Sequence, residues 1–166
     1  KMNANIKIKN LKKKSGELIG NIVVKSSFLK PINCPKELVP SSIDEFPLLF
    51  VIAAVIKGVT KFSGINELRH KESDRIKSME IGLNQIGIKT KSTPSSLTIF
   101  GNPNIKINKT LRIFSRKDHR VAMSFFCLGQ LLNGNIKIDN FETVNTSFSK
   151  FLVTMKKIGA KYEIKK

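Results

Sequence analysis

The stretch IDEFPLLFVIAAVIKGVTKFSGI, residues 43–65, begins with acidic residues, continues apolar at helical spacing, reaches Gly58 and then alternates apolar with polar residues. Residues 117–141, KDHRVAMSFFCLGQLLNGNIKIDNF, follow the same order and reach Gly134 at the equivalent point. A polar start before an apolar helical pattern predicts a helix, and alternation predicts a strand. The recurrence therefore predicts two related units that bury each other's apolar faces.

A second helical pattern follows in each copy and ends at an Ile-Gly pair. Gly87 and Gly159 suit the left-handed position after a helix, and alternating residues follow both. Each unit is therefore predicted as helix, strand, helix, strand, over residues 44–91 and 118–164. Further strands are predicted at LIGNIVVKSS (18–27), LTIFG (97–101), NIKI (104–107) and LRIF (111–114).

The opening KMNANIKI is typical of a helix end that continues into a strand. We interpret residues 1–43 as a partial repeat, and residues 44–110 and 111–166 as two further repeats of an α+β fold. Since the chain starts with Lys1 inside such a pattern, we expect a fragment. An incomplete first repeat should leave an apolar face uncovered.

Polar residues mark the predicted helix starts, because their side chains accept hydrogen bonds from free backbone N–H groups. The candidates are Ser42 or Asp44, Ser73 or Asp74, Asp118, and Ser147. Pro47 falls in the opening turn of the first helix, where its missing N–H costs nothing.

The formal net charge of +18 at pH 7 raises nucleic acid as a partner, since lysine and arginine neutralise phosphates. The lysines, however, are spread along the whole chain, as compositional bias would produce. Tyr162 is the single tyrosine and tryptophan is absent, so stacking on bases would depend on phenylalanine alone. We therefore expect no nucleic-acid partner. The alternative interpretation of the charge is a basic nucleic-acid-binding module.

Membrane and metal partners are also not expected. The longest apolar run, Phe46 to Ile56, is far shorter than the roughly 20 residues that cross a bilayer. Cys34 and Cys127 lack metal-binding spacing, and two histidines nearly exclude a histidine-rich metal site. Cys127 lies in an apolar helical pattern, which indicates a buried thiol in a reducing compartment.

All arginines of the chain fall in two short windows: Arg69 and Arg75, then Arg112, Arg116 and Arg120. Arg75 and Arg120 are predicted in the first turn of their helices, where the helix dipole disfavours a cation unless an anion is present. One window alone would favour pairing among its own charges on a solvated helix edge. Two windows at equivalent repeat positions instead predict a small-anion site, because guanidinium binds carboxylate or phosphate bidentately.

The charged segments carry a family resemblance. ELRHKESDRI (67–76) resembles the ELRVKESDR signature of the 5-enolpyruvylshikimate-3-phosphate synthases, and DHRVAMSF (118–125) resembles their second signature. VPSSIDEFPLLFVIAAVIKG (39–58) resembles the stretch around a catalytic aspartate, and NTSFSKFLVTMKKIGA (145–160) resembles the C-terminal segment. The resemblance therefore covers almost the whole chain.

This resemblance implies an enzyme of two domains, each built from three βαβαββ units as an inside-out α/β barrel. The chain resembles most of the C-terminal domain, with an N-terminal domain of the same protein missing. The implied reaction moves the enolpyruvyl group of phosphoenolpyruvate to the 5-hydroxyl of shikimate 3-phosphate and releases phosphate. The family implies a cytoplasmic monomer that makes aromatic amino-acid precursors without metal or organic cofactor.

The resemblance also implies roles for particular residues. Asp44 matches the acid at the shikimate 5-hydroxyl, although on its own it reads equally as a plain helix cap. Glu72 matches the acid that exchanges a proton with the methylene carbon of phosphoenolpyruvate. Lys71 matches a substrate contact, and Arg75 and Arg120 match the residues that bind the carboxylate and phosphate of phosphoenolpyruvate.

Glu67 and His119 match further substrate-binding positions near these residues. The chain departs from the family pattern at His70, where valine is usual, at Thr146, where many members have lysine, and at Ser149, where proline is usual. These last departures put one phosphoenolpyruvate contact in doubt. A same-fold alternative is the enolpyruvyl transferase for UDP-N-acetylglucosamine, which lacks the Lys-Glu-Ser-Asp-Arg string.

Overall fold

The computed structural model describes residues 1–164. Its strands are β1 (Asn5–Lys14), β2 (Glu17–Lys25), β3 (Gly58–Ser63), β4 (Lys89–Thr93), β5 (Ser96–Gly101), β6 (Leu111–Ile113) and β7 (Ile136–Ile138). Its α-helices are α1 (Val39–Ser42), α2 (Phe46–Ala54), α3 (Arg75–Gln85), α4 (His119–Gly129), α5 (Asn145–Phe148) and α6 (Phe151–Lys157). None of these helices is long and apolar enough to span a membrane.

Three strands form an antiparallel sheet in the order β3, β5, β4, and β6 pairs with β7 in parallel. A parallel bridge also joins Asn33 to Lys61 of β3. Helices α2 and α4 therefore each cross between two parallel segments of backbone. Because each helix begins after the first segment of its pair, the starts of α2 and α4 occupy equivalent places in the two units.

The apolar stretch after Asp44 and Glu45 forms α2 and part of the core. Phe46 and Phe50 are fully buried, and their rings pack edge-to-face on Phe62 of β3 at centroid distances of 5.7 and 4.9 Å. Aromatic pairs of this geometry stabilise a core beyond their buried area. Pro47 lies in the first turn of α2, as predicted.

Helix α3 packs closely against α4 because Gly82 has no side chain. A Cβ atom at this position would lie 2.2 Å from Cζ of Phe125. Met79 and Leu83 of α3 and Leu128 of α4 belong to the same buried cluster. The close contact places the starts of the two helices, and the two charged signatures, next to each other.

The predicted cap of α2 is wrong, since neither Ser42 nor Asp44 hydrogen-bonds to the start of the helix. The residue before α2 is Glu45, which has helical backbone angles and no capping side-chain bond. A 3₁₀ turn, Ile43–Glu45, leads directly into α2. A capping side chain normally comes from a residue with extended backbone angles, and no such residue directly precedes this helix. The Asp44 carboxylate is therefore available to other elements.

Two of the other helix starts are confirmed. Asp74 accepts a hydrogen bond from the Lys77 N–H, and Asp118 accepts from the N–H groups of Arg120 and Val121. The start near Ser147 is wrong by a few residues, because Ser147 lies inside α5 and α6 begins only at Phe151.

The glycines after α3 and α6 adopt the predicted left-handed conformation, with φ of +91° at Gly87 and +95° at Gly159. The strand predicted after Gly159 is wrong, because residues 160–164 form no strand. The Gln130 side-chain amide instead binds both backbone groups of Lys161, at 2.9 and 3.2 Å, and so takes the place of a neighbouring strand. Residues 165–166 lie outside the described residues.

The predicted strand at residues 104–107 is also wrong. A single bridge, between Lys106 and Asn133, joins this segment to the rest of the described chain. The Asn102 side chain accepts a hydrogen bond from the Asn104 N–H at 2.9 Å, and such a local turn competes with strand pairing.

The first two strands form a hairpin with one uncovered apolar face, and an uncovered face was predicted for residues 1–43. Ile6 pairs with Val24 and Ile8 with Ile22, so alternation places these four side chains on the same face. All four are more than half exposed.

Candidate active site

Arg75, the first residue of α3, is the centre of a cluster of charged side chains. Its side chain is 1% exposed. Nε donates to Asp118 Oδ2 at 2.9 Å, Nη1 to Asp44 Oδ1 at 2.9 Å, and Nη2 to Glu72 Oε2 at 2.5 Å. A buried guanidinium requires such partners, and here three different segments supply them. These carboxylates provide the negative charge that a cation in the first turn of a helix needs.

Asp118 joins the two charged signatures. It is fully buried, and one carboxylate oxygen caps α4 while the other accepts from Arg75 and from Ser73 Oγ at 3.0 Å. The residue thus fixes the start of α4 against the start of α3. Its capping role was predictable, whereas its contact with Arg75 depends on how the two helices pack.

Asp44 lies in the 3₁₀ turn before α2 with cations on several sides. Its carboxylate contacts Arg75, and lies 3.8 Å from both Lys71 Nζ and Arg120 Nη2. Burial acts to raise the pKa of Asp44, but the hydrogen bond from Arg75 and the charges of Arg120 and Lys71 outweigh it and hold the pKa below its ordinary value. Asp44 is therefore ionised at neutral pH.

Arg120, in the first turn of α4, is more accessible than Arg75. Its side chain is 29% exposed, and Nη1 donates to Glu45 Oε1 at 2.8 Å and to the Asp44 carbonyl at 3.2 Å. The backbone contact ties the guanidinium to the turn before α2. The contact with Glu45 lies at the solvent side, since the Glu45 side chain is 60% exposed.

Lys71 extends the cluster toward solvent. Its Nζ lies 2.8 Å from Glu67 Oε1, and the hydrogen bond that Lys71 donates to Glu67 is the main cause that raises the pKa of Lys71. The charge of Asp44 acts in the same direction. Glu67 itself is well exposed.

The structure thus brings together six of the seven predicted site residues: Asp44, Glu67, Lys71, Glu72, Arg75 and Arg120. His119 is partly exposed beside Arg120, and within residues 1–164 no hydrogen bond or ion pair joins it to the cluster. Thr146 donates to the Thr143 carbonyl at 2.7 Å, within its own helical segment.

Arg69 and Arg112 have partners outside the cluster, so the two windows do not form one site as a whole. Arg69 binds the carbonyl oxygens of Thr93 and Pro94 in the turn between β4 and β5, and pairs with Asp74. The guanidinium of Arg112 lies 5.3 Å from the centre of the Phe114 ring. Pairing among charges of the same window also occurs. Glu72 pairs with Arg75 three residues on, and Glu67 pairs with Lys71 four residues on.

The sequence did not predict two members of the cluster. Glu45, which binds Arg120, was not identified, and Asp118 was predicted as a helix cap but not as a partner of Arg75. The position of Glu45 next to Asp44 was a signal, because a residue flanking a site aspartate before a helix lies near the same cations. No group of His, Cys, Asp or Glu side chains in the described chain is arranged to hold a metal ion.

The arrangement suits acid–base chemistry on an anion. Two half-exposed carboxylates, Asp44 and Glu72, come from different elements and meet on one guanidinium. Carboxyl groups in such positions can accept and donate protons on a bound molecule. Arg120 and Lys71 lie beside them, at the side of the cluster that faces solvent, where they can attract and orient negative charge.

Solved structures share this arrangement of elements. The chain superposes on EPSP synthase from Acinetobacter baumannii with a TM-score of 0.93 at 39% identity, covering 99% of this chain and 38% of that one. The enolpyruvyl transferase NikO from Streptomyces tendae superposes with a TM-score of 0.59 at 16% identity, which shows the fold alone. Fold and site together define a domain of the enolpyruvyl transferase class, and the predicted fold class is confirmed.

Residues 1–155 match the family model of EPSP synthase (3-phosphoshikimate 1-carboxyvinyltransferase), and the chain belongs to this family. Relatives named 3-phosphoshikimate 1-carboxyvinyltransferase are 43% identical in Clostridium tetani, over 89% of this chain, and 38% identical in Zymomonas mobilis, over 98%. The chain spans 34% and 37% of the length of these relatives, or about a third. The names of these relatives do not favour the UDP-N-acetylglucosamine alternative.

Proposed function

We propose that the protein containing this chain transfers the enolpyruvyl group of phosphoenolpyruvate to the 5-hydroxyl of shikimate 3-phosphate, with release of phosphate. The observation that carries the proposal is the meeting of Asp44 and Glu72 on Arg75, with Arg120 and Lys71 beside them. The family of the chain and the names of its relatives support the same substrates.

The addition step of the proposed reaction requires two proton transfers, one from the hydroxyl oxygen of one substrate and one to the methylene carbon of the other. The 5-hydroxyl oxygen bonds to the central carbon of phosphoenolpyruvate and loses its proton, while the methylene carbon gains one. In the elimination step, the carbon that gained a proton loses one again, and the bond from the central carbon to phosphate breaks. Asp44 is proposed to accept the hydroxyl proton, which the lowered pKa of this carboxyl permits because it is ionised at neutral pH.

Glu72 is proposed as the group that exchanges a proton with the methylene carbon. Arg75 and Arg120 are proposed to bind the carboxylate and phosphate of phosphoenolpyruvate, and Lys71 to contact substrate and the developing charge. Such prearranged cations orient the reactants and lower the barrier without moving during the reaction. Glu67 and His119 remain proposed substrate-binding residues at the edge of the cluster.

We further propose that the site is completed by a second domain of the same protein, and that the protein acts as a cytoplasmic monomer without a cofactor. The chain is then most of a C-terminal domain, with a partial repeat at 1–43 and repeats at 44–110 and 111–166. The isolated chain would lack turnover, because half of the substrate cleft would be missing.

The test uses the full-length protein and measures phosphate release from phosphoenolpyruvate with shikimate 3-phosphate. Glu72→Gln keeps the shape of the side chain but removes proton exchange, so kcat should fall on the order of 100-fold or more. Glu37→Gln, which removes an exposed charge paired only loosely with Lys1 at 3.9 Å, is the matched control and should leave kcat unchanged. Full activity of Glu72→Gln would remove the assigned role, and an inactive unsubstituted protein would refute the proposed reaction.

A further inference from the structure

The charged cluster contains more acids than bases, although its proposed ligand is an anion. Its cations are Lys71, Arg75 and Arg120, and its acids are Asp44, Glu45, Glu67, Glu72 and Asp118. Each cation is therefore already bound to carboxylate in this structure. An incoming anion that binds the same N–H group as one of these carboxylates must displace that carboxylate.

The acids differ in how easily they can leave. Asp118 is fully buried and holds the start of α4, and Asp44 and Glu72 pair with the buried Arg75, which they can leave only when another anion replaces them. Glu45 is 60% exposed, and within residues 1–164 its carboxylate has Arg120 as its single hydrogen-bonding partner. It can therefore turn into solvent without breaking any other contact of the cluster.

Arg120 keeps its position when Glu45 leaves. Its Nη1 also donates to the Asp44 carbonyl, a backbone atom of the turn before α2. The Nη1 N–H that Glu45 had occupied would then face the solvent side of the cluster. A carboxylate or phosphate oxygen of the substrate can accept from the same Nη1 N–H as Glu45 Oε1, so the two compete for this donor.

We propose that Glu45 is an internal competitor of the substrate anion and sets the apparent affinity of the site for phosphoenolpyruvate. This inference rests on the proposed function. In the empty site Glu45 neutralises Arg120, and only molecules in which Glu45 has turned away bind the substrate anion at Arg120. The apparent affinity is reduced by the fraction of molecules in which the internal pair is closed. Glu45 is thus a residue that determines affinity and not one that takes part in the chemical step.

The experiment measures the KM for phosphoenolpyruvate of the full-length protein at saturating shikimate 3-phosphate. An exposed ion pair is only weakly stabilised, so the pair between Glu45 and Arg120 reduces the apparent affinity only a few-fold. Glu45→Gln should therefore lower this KM by roughly two- to six-fold. The value of kcat should stay within about two-fold, because the group leaves before the reaction. Glu37→Gln removes a carboxylate that is also well exposed but, within residues 1–164, forms no ion pair with Arg120, and it should leave the KM unchanged.

A second variant, Glu45→Ala, should lower the KM in the same direction, which separates loss of the charge from any effect of the glutamine amide. An unchanged or raised KM in both variants would overturn the inference. If the unsubstituted protein shows no turnover, the proposed function fails and titration with inorganic phosphate decides the role of Glu45. Tighter phosphate binding by both variants would support internal competition, and equal or weaker binding would overturn it.

Discussion

Asp44 couples the stability of the site to pH. Its carboxylate contacts Arg75 and lies near Lys71 and Arg120, and these cations hold its pKa below the ordinary value despite the opposing effect of burial. A carboxyl whose pKa is lower in the folded than in the unfolded chain stabilises the fold above its unfolded pKa. This stabilisation is lost as the pH falls through the folded pKa.

Asp44→Asn should therefore flatten the acid side of the stability profile. Between neutral pH and about pH 4 the unsubstituted protein keeps the contribution of Asp44, and below that range it should lose stability more steeply than the variant. The measurement is the urea midpoint of the full-length protein as a function of pH, with Glu37→Gln as a control of equal charge change. Parallel profiles for Asp44→Asn and the unsubstituted protein would contradict the claim that the lowered pKa of Asp44 stabilises the fold.

At the scale of elements, the starts of α3 and α4 are capped by equivalent aspartates in different surroundings. Asp74 caps α3 and pairs with Arg69 at 2.7 Å, partly exposed to solvent. Asp118 caps α4 and is fully buried against Arg75. The two residues therefore separate the energy of a cap from that of a buried ion pair.

Asp74→Ala should cost about 1 kcal/mol of unfolding free energy, as is usual for the loss of a cap. Asp118→Ala should cost about 3 kcal/mol or more, because it also leaves the Nε edge of a buried guanidinium without a partner. Asp118→Asn should fall between them, since asparagine is a good cap but lacks the charge. Urea unfolding of the full-length protein measures these differences, and equal costs for the two alanine variants would contradict the role of the buried pair.

The sequence predicted those elements whose signals are local. Asp74, Asp118 and Gly87 lie at the ends of their helices as expected, because caps and left-handed turns depend on a few neighbouring residues. The strand after Gly159 failed because a strand depends on a distant partner, and Gln130 took that place.

The same reasoning explains what could be foreseen of the site. Arg75 and Arg120 were identified by their unusual positions at helix starts, and their neighbourhood with Asp44 was expected from the family resemblance. The contact between Arg75 and Asp118 joins residues 43 positions apart and depends on the packing of α3 against α4 at Gly82. Periodicity does not encode such a contact.

At the scale of the whole molecule, the hairpin of β1 and β2 stands out because nearly all of its residues are exposed. Its apolar face carries Ile6, Ile8, Ile22 and Val24, all more than half exposed. The opposite face carries lysines such as Lys7, so charge repulsion opposes association at low salt and weakens as salt screens it. An exposed face of this kind is a site of association unless another element covers it.

The isolated 166-residue chain should therefore self-associate through this face, and more strongly at about 0.15 M salt than at low salt. Replacing Ile8 and Ile22 by threonine keeps the β-branched side chains that favour strands but lowers the apolar area, so association should decrease while the hairpin remains. Val23→Thr changes the opposite face and is the matched control, which should associate like the unsubstituted chain. Sedimentation velocity at equal concentrations measures the outcome. If the double variant and the control sediment alike, the isolated chain associates through another surface, and the prediction that it associates through the apolar face of the hairpin is wrong.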